Sequence, residues 1–153
     1  MVNNYTLRSI RYMLSLSDAK MVEIAKLGGV EVEREEMVSW LKPEDDPDYK
    51  ECSDYVMGHF LNGLIFFRRG KDDRFPTPEV ESVMTNNIVM KKLRAAFALQ
   101  DTDLIDIYAS VDFRVSKPEL SAIFRKPDHK NYRKCGDQLL RYFLKGLTLK
   151  IRK

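Results

Sequence analysis

The sequence predicts an all-α protein made by tandem duplication of a four-helix unit, with about eight helices in a compact pseudo-twofold arrangement. Three observations predict it: the halves align at a constant offset of 83 residues, apolar residues recur at helical spacing, and alternating β-branched runs are missing. Matched pairs run through the unit: Asn3/Asn86, Asn4/Asn87, Arg11/Arg94, Asp18/Asp101, Ile24/Ile107, Glu36/Glu119, Cys52/Cys135, Asp54/Asp137, Phe60/Phe143, Gly63/Gly146 and Leu64/Leu147.

The first helix of each unit is expected at about residues 4–16 and 87–99. Asn4 and Asn87 are candidate N-caps, since an asparagine side chain can accept an orphaned backbone N–H. The second helix begins near residues 17–18 or 100–101, and Gly28-Gly29 is a natural stop in the first copy.

The third helix is expected at about residues 33–41 and 116–124. In the second copy Ser116 can cap it, Pro118 suits its first turn, and Glu119 has capping-box spacing.

The fourth helix is the most apolar. Gly63 and Gly146 lie in its middle in both copies, which favours a close approach of another backbone, because a mid-helix glycine is otherwise unfavourable. The apolar positions predicted to share one face are Val56, Phe60, Gly63, Leu64 and Phe67, and in the second copy Leu139, Phe143, Gly146 and Leu147.

The predicted organisation is a first helical repeat at residues 1–70, a linker at 71–85 and a second helical repeat at 86–153. Pro76 and Pro78 mark the linker, because two prolines so close cannot extend a helix.

Composition favours a cytoplasmic protein that does not enter membranes. No apolar run approaches the roughly 20 residues of a membrane span, and the N-terminus has no basic segment followed by an apolar one. Cys52 and Cys135 are therefore expected as reduced thiols. The net charge of +3 is uneven: residues 1–80 hold 11 basic and 15 acidic residues, residues 81–153 hold 15 and 8. This asymmetry fits an anionic partner, head-to-tail self-association, or simply two solvated surfaces.

Several distinctive strings occur along the chain, at residues 60–65, 69–72, 86–89, 91–94, 113–116, 127–131 and 135–138. They resemble the YehS family, a group of bacterial proteins of about this size. The resemblance covers nearly the whole chain, and it implies a bacterial cytoplasmic setting but transfers no catalytic or binding residue.

The sequence predicts no catalytic, metal or cofactor site. His129 and Cys135 lack the further ligands that a zinc site needs, and Asp45 stands opposite His129 in the first copy. Cys52 and Cys135 are interpreted as small buried residues rather than reactive thiolates, because the nearby Asp54 and Asp137 oppose a thiolate.

Arg11 and Arg94 are predicted to have the same structural role in each copy. A guanidinium has five donors in a planar fork and can tie carboxylates or helix ends together. The matched acids available to them are Asp18, Glu36 and Asp54, or Asp101, Glu119 and Asp137. The alternative is that both arginines are exposed and contact a ligand.

The chain is predicted to be a non-enzymatic helical binding or adaptor protein that acts through protein–protein contacts, with an unidentified protein partner or a second copy of itself. The alternative is nucleic-acid binding by the basic second repeat, through basic residues that flank its third helix and the following loop and whose counterparts in the first copy are mostly acidic or neutral. The candidate contacts are Arg114, Lys117, Arg125, Lys126, Lys130, Arg133 and Lys134.

Overall fold

The structure is a computed structural model that describes residues 3–74 and 77–153. This part of the chain forms eight α-helices and no β-strand, and the two repeats have the same order of four helices, so the predicted all-α tandem duplication is confirmed. The helices are α1 (Asn3–Leu14), α2 (Asp18–Leu27), α3 (Arg34–Leu41), α4 (Asp54–Arg69), α5 (Asn86–Ala96), α6 (Asp101–Ala109), α7 (Lys117–Ile123) and α8 (Asp137–Ile151).

Local chemistry explains where these helices begin. Ser17 accepts the backbone N–H of Lys20 at 3.1 Å and starts α2. Ser116 and Glu119 form the expected capping box at α7, with proline in the first turn. Each cap satisfies a backbone N–H that the helix itself leaves unpaired.

The repeats pack about a pseudo-twofold axis. The first helix of each repeat packs against the fourth helix of the other, so α1 lies on α8 and α4 lies on α5. A matched pair of hydrogen bonds crosses the interface: Arg69 donates to the carbonyl oxygen of Ala95 at 3.1 Å, and Arg152 donates to that of Tyr12 at 2.7 Å. Donors and acceptors are both 83 residues apart, so the same contact is made twice in reciprocal directions.

The fourth helices supply the centre of the core. Phe60, Leu64, Phe143 and Leu147 are fully buried, as the apolar pattern predicts. Phe67 is an exception, because 41% of it is exposed near the end of α4 and it does not join the buried face.

Glycine allows the second and fourth helices of each repeat to touch through their backbones. A Cβ added to Gly63 would overlap the carbonyl oxygen of Ile24 and lie 2.9 Å from the amide nitrogen of Gly28. A Cβ added to Gly146 would overlap the carbonyl oxygen of Ile107, which is the matched position on α6. Any side chain here would force the helices apart.

The predicted asparagine N-caps are wrong. In the second repeat Thr85 caps α5 by accepting the N–H of Ile88, and Asn86 and Asn87 already lie inside the helix. Asn4 of α1 is likewise a helical residue, and 0% of it is exposed.

These asparagines instead bind the end of the third helix and the segment that precedes the fourth helix. Asn4 donates to the carbonyl oxygens of Trp40 (3.0 Å) and Lys50 (2.7 Å) and accepts the N–H of Cys52 (2.9 Å). Asn87 makes the same three bonds at the matched positions in the second repeat, with distances of 2.8–3.0 Å. Each amide therefore joins the first helix to the end of the third and the entry to the fourth.

Candidate functional site

An open groove runs between α1 and α8, where the two repeats meet. We call it the inter-repeat groove; its volume is about 630 Å³. Its α1 wall carries Tyr5, Arg8, Ser9 and Tyr12, spaced so that they share one helix face. Its α8 wall carries Gln138, Arg141, Tyr142, Leu144, Lys145, Thr148 and Leu149.

The groove is cationic and aromatic. The guanidinium of Arg141 lies 5.5 Å from the ring centre of Tyr5, across the repeat boundary. A second depression shares Arg8 and Tyr12 with the groove and extends it to Arg152, whose guanidinium lies 4.4 Å from the ring centre of Tyr12. None of the described residues that line either depression is acidic. Such a surface attracts carboxylates or phosphates.

The pseudo-equivalent surface between α4 and α5 is occupied by the protein itself. Residues 70–85 connect these two helices, and we call them the connecting segment. Asn62 of α4 donates to the carbonyl oxygen of Pro78 at 3.0 Å, and Lys92 of α5 donates to that of Glu79 at 3.0 Å. The Val80 side chain lies against Gly58, where an added Cβ would come within 2.9 Å of it.

Lys92 is the charged centre of this occupied surface. It is only 7% exposed, donates to Asn62 Oδ1 at 2.8 Å, and lies 3.5 Å from a carboxylate oxygen of Glu81. Burial lowers the pKa of Lys92, and the neighbouring Glu81 carboxylate opposes that shift. The connecting segment thus brings a carboxylate to a lysine that the helices have removed from water.

The offset of 83 residues identifies what replaces these groups in the open groove. Ser9 takes the place of Lys92, Lys145 takes the place of Asn62, and Arg141 takes the place of Gly58. All three line the inter-repeat groove. The two surfaces are therefore the same architectural site with different side chains, one filled and one open.

The seven basic residues predicted to contact nucleic acid are all exposed, and they lie on α7 and its flanking loops, outside the lining of the groove. Arg125 contacts His129 at 3.2 Å, and Arg133 lies 3.9 Å from Glu119. The backbone N–H of Arg133 donates to the carbonyl oxygen of Ala122, which ties the loop to α7. Arg114, Lys117, Lys126, Lys130 and Lys134 complete this set, which we call the α7 basic surface.

Arg11 and Arg94 pair with the matched aspartates of their own repeats. Arg94 lies 2.9 Å from Asp101 and donates to the carbonyl oxygen of Leu99, while Arg11 lies 3.6 Å from Asp18. The environments differ, because the Arg11 side chain is 44% exposed and that of Arg94 is 31% exposed. Arg11 also lines the extension of the groove.

Cys52 and Cys135 are free thiols, and both are 5% exposed. Burial, together with the smaller effect of the nearby Asp54 or Asp137 carboxylate, raises the pKa of each thiol to about 12. The carboxylates have structural partners: Asp54 accepts hydrogen bonds from Asn3 and from the Met84 N–H, and Asp137 accepts one from Asn86, which lowers the pKa of Asp137. The geometry matches a packing role for both cysteines.

Among residues 3–74 and 77–153, no group of three or more His, Cys, Asp or Glu side chains is placed to hold a metal ion. In the same part of the chain, no helix has the length and apolar character required to cross a membrane.

Comparison with known proteins matches this duplicated architecture. The family described as "Protein of unknown function (DUF1456)" matches twice, at residues 3–70 and 86–153. The chain belongs to the DUF1456 family. It is 49% identical to the uncharacterized protein YehS of Escherichia coli (strain K12) over 148 residues, which cover 97% of this chain and 95% of that relative. No solved structure matches the chain.

The groove was not predicted from the sequence because it forms only where the two DUF1456 units pack together. Its walls come from α1 and α8, which lie at opposite ends of the chain. The available signal was local: Tyr5, Arg8 and Tyr12 follow one another at spacings of three and four residues, and Arg141 and Lys145 are four residues apart. Each helix thus carries half of a surface that only the packing of the repeats completes.

Proposed function

We propose that this protein is a non-enzymatic, cytoplasmic binding protein that holds a segment of a partner protein in the inter-repeat groove. One observation carries the proposal. The pseudo-equivalent surface between α4 and α5 holds a segment of polypeptide without regular secondary structure, and Asn62 and Lys92 donate hydrogen bonds to its backbone carbonyl oxygens.

The open groove has the features of a peptide-binding surface. The tyrosines at positions 5, 12 and 142 offer apolar rings with polar tips, a residue type enriched where proteins meet proteins. Arg8, Arg141 and Lys145 provide donors for backbone carbonyl oxygens or acidic side chains.

A photo-crosslinking amino acid at Leu149 tests the proposal inside cells. Leu149 lines the groove and is 52% exposed, while Val83, which is 61% exposed on the connecting segment, is a matched control position. We expect an adduct at position 149 that exceeds the adduct at 83, that protease destroys and nuclease spares, and that Arg141→Glu abolishes. Equal adducts at both positions, or an adduct that nuclease removes, would contradict the proposal.

Nucleic-acid binding by the α7 basic surface is the second candidate. Its supporting observation is the exposure of seven cationic side chains on one helix and its flanking loops, with Glu119 as an acidic neighbour. Phosphate contacts release counterions, so the affinity for labelled DNA and RNA should fall steeply with salt. The triple variant Lys126→Glu, Lys130→Glu, Arg133→Glu should lose this binding and keep its helical content, because exposed charges contribute little to stability. Failure of the wild type to bind at low salt eliminates this candidate.

A further inference from the structure

The segment that already occupies the equivalent surface shows what kind of chain the inter-repeat groove can receive. Residues 77–81 of the connecting segment have no regular secondary structure, and Pro78, Val80 and Glu81 are half-buried while Thr77 and Glu79 are exposed. The contacts made by Asn62 and Lys92 reach consecutive backbone carbonyl oxygens. An extended chain with acidic side chains therefore fits this architecture.

The side chains that differ between the two surfaces change the charge of the ligand that the open groove would bind. On the filled side, Gly58 leaves room for the apolar Val80. Arg141 takes that place in the open groove, and Lys145 takes the place of the neutral Asn62. A chain on the corresponding path would meet two cations on one wall, where none of the described lining residues is acidic and Asp137, one turn before Arg141, is the acidic neighbour.

The spacing of those cations matches an extended peptide. Arg141 and Lys145 are four residues apart on α8, which places them about 6 Å apart along the helix axis. In an extended chain, side chains at i and i+2 lie on the same side and are separated by roughly 6.5–7 Å. Two carboxylates separated by one residue would therefore reach both cations together.

Resting on the proposed function, we infer that the partner contributes an extended acidic segment with acidic residues at positions i and i+2. On the filled side Pro78 lies next to Asn62 and Val80 lies next to Gly58, so a chain on the same path presents residues i and i+2 to Lys145 and Arg141. Tyr5 and Tyr12 on the opposite wall contact the apolar side chains of the same segment, because they line the groove across from the two cations.

A synthetic nine-residue peptide tests this inference by fluorescence anisotropy with the full chain. It copies residues 77–85 with glutamate at positions 78 and 80 and glutamine at positions 79 and 81, and it carries a fluorophore. A second peptide replaces both glutamates with glutamine, and a third places them at adjacent positions. We expect the first peptide to bind about tenfold more tightly than the second, because two ion pairs are lost, and more tightly than the third.

Protein variants locate the binding. Arg141→Gln combined with Lys145→Gln should reduce the affinity for the acidic peptide to that of the glutamine peptide. Lys150→Gln is the matched control, since Lys150 is exposed on the same helix but does not line the groove. Its affinity for the acidic peptide should equal that of the wild type.

The outcomes separate the inference from the proposed function. Equal binding of the three peptides, or no binding, overturns the inference that the partner segment is acidic. The crosslink at position 149 independently decides whether any protein occupies the groove. Single-stranded oligo-dT and oligo-U of equal charge are tested in parallel. If either oligonucleotide binds more tightly than the acidic peptide and responds to the Arg141 and Lys145 changes, the inference is wrong and the groove is a nucleic-acid site.

Discussion

Replacing Asn4 with alanine measures how strongly the first helix is tied to the rest of its repeat. The side chain is fully buried and makes three hydrogen bonds, so Asn4→Ala leaves three backbone groups without their partner. The carbonyl oxygen of Lys50 belongs to an exposed residue and can turn to water. The Trp40 carbonyl and the Cys52 N–H stay buried. At about 1–3 kcal/mol for each stranded group, the expected loss is roughly 2–6 kcal/mol.

Urea unfolding followed by circular dichroism gives this loss directly as a difference in the free energy of unfolding. The effect should remove a large part of a total stability of about 5–15 kcal/mol. Asn131→Ala is the control, because Asn131 is exposed and should cost less than about 0.5 kcal/mol. Asn4→Asp keeps the acceptor for Cys52 but turns a carboxylate oxygen towards two carbonyl oxygens, so it should destabilise at least as much as alanine. A loss for Asn4→Ala no larger than that of Asn131→Ala would refute the reasoning.

Three further predictions concern the core. Gly63→Ala should destabilise by about 1–3 kcal/mol despite a gain of roughly 1 kcal/mol in helix propensity, because its Cβ overlaps the α2 backbone; Gly136→Ala, where nothing lies within 4 Å, should be far milder in the same unfolding assay. Phe143→Ala should cost about 3–5 kcal/mol, and a value in the range of surface substitutions would show that the buried face is misassigned. Cys52 and Cys135, whose pKa values of about 12 exceed the usual 9.0, should react with iodoacetamide at pH 8 about a thousandfold more slowly than in denaturant. The contribution of the two protonated thiols to the free energy of unfolding is complete below pH 9 and is lost as the pH rises towards 12. Rapid labelling of the folded protein would disprove the burial of the two cysteines.

The architecture could be predicted from the sequence because the helical pattern of apolar residues occurs twice in a duplicated chain. Helix order, the capping box at Ser116 and the buried positions Phe60 and Phe143 all follow from local spacing. Gly63 and Gly146 predict a close backbone approach for the same reason. Glycine lowers helix stability, so its presence at the same interior position of both helices indicates a contact that only glycine allows.

Long-range hydrogen bonding could not be predicted in the same way. An asparagine near a helix start looks like a cap, because capping is the common local use of that side chain. The partners that Asn4 and Asn87 actually use lie 36–48 residues away, at the end of the third helix and just before the fourth. Nothing local to the asparagines signals those partners, although their recurrence in both copies signals that they matter.

The comparison between copies separates residues that maintain the unit from residues that give each surface its character. The asparagine bonds, the helix-contact glycines and the reciprocal arginine bonds occur in both repeats, and each has a structural partner. The residues at the two inter-repeat surfaces differ: Ser9, Arg141 and Lys145 stand where the other surface has Lys92, Gly58 and Asn62. The matched residues therefore account for the shared fold, and the unmatched residues at the two inter-repeat surfaces are the positions at which we expect the surfaces to differ in what they bind.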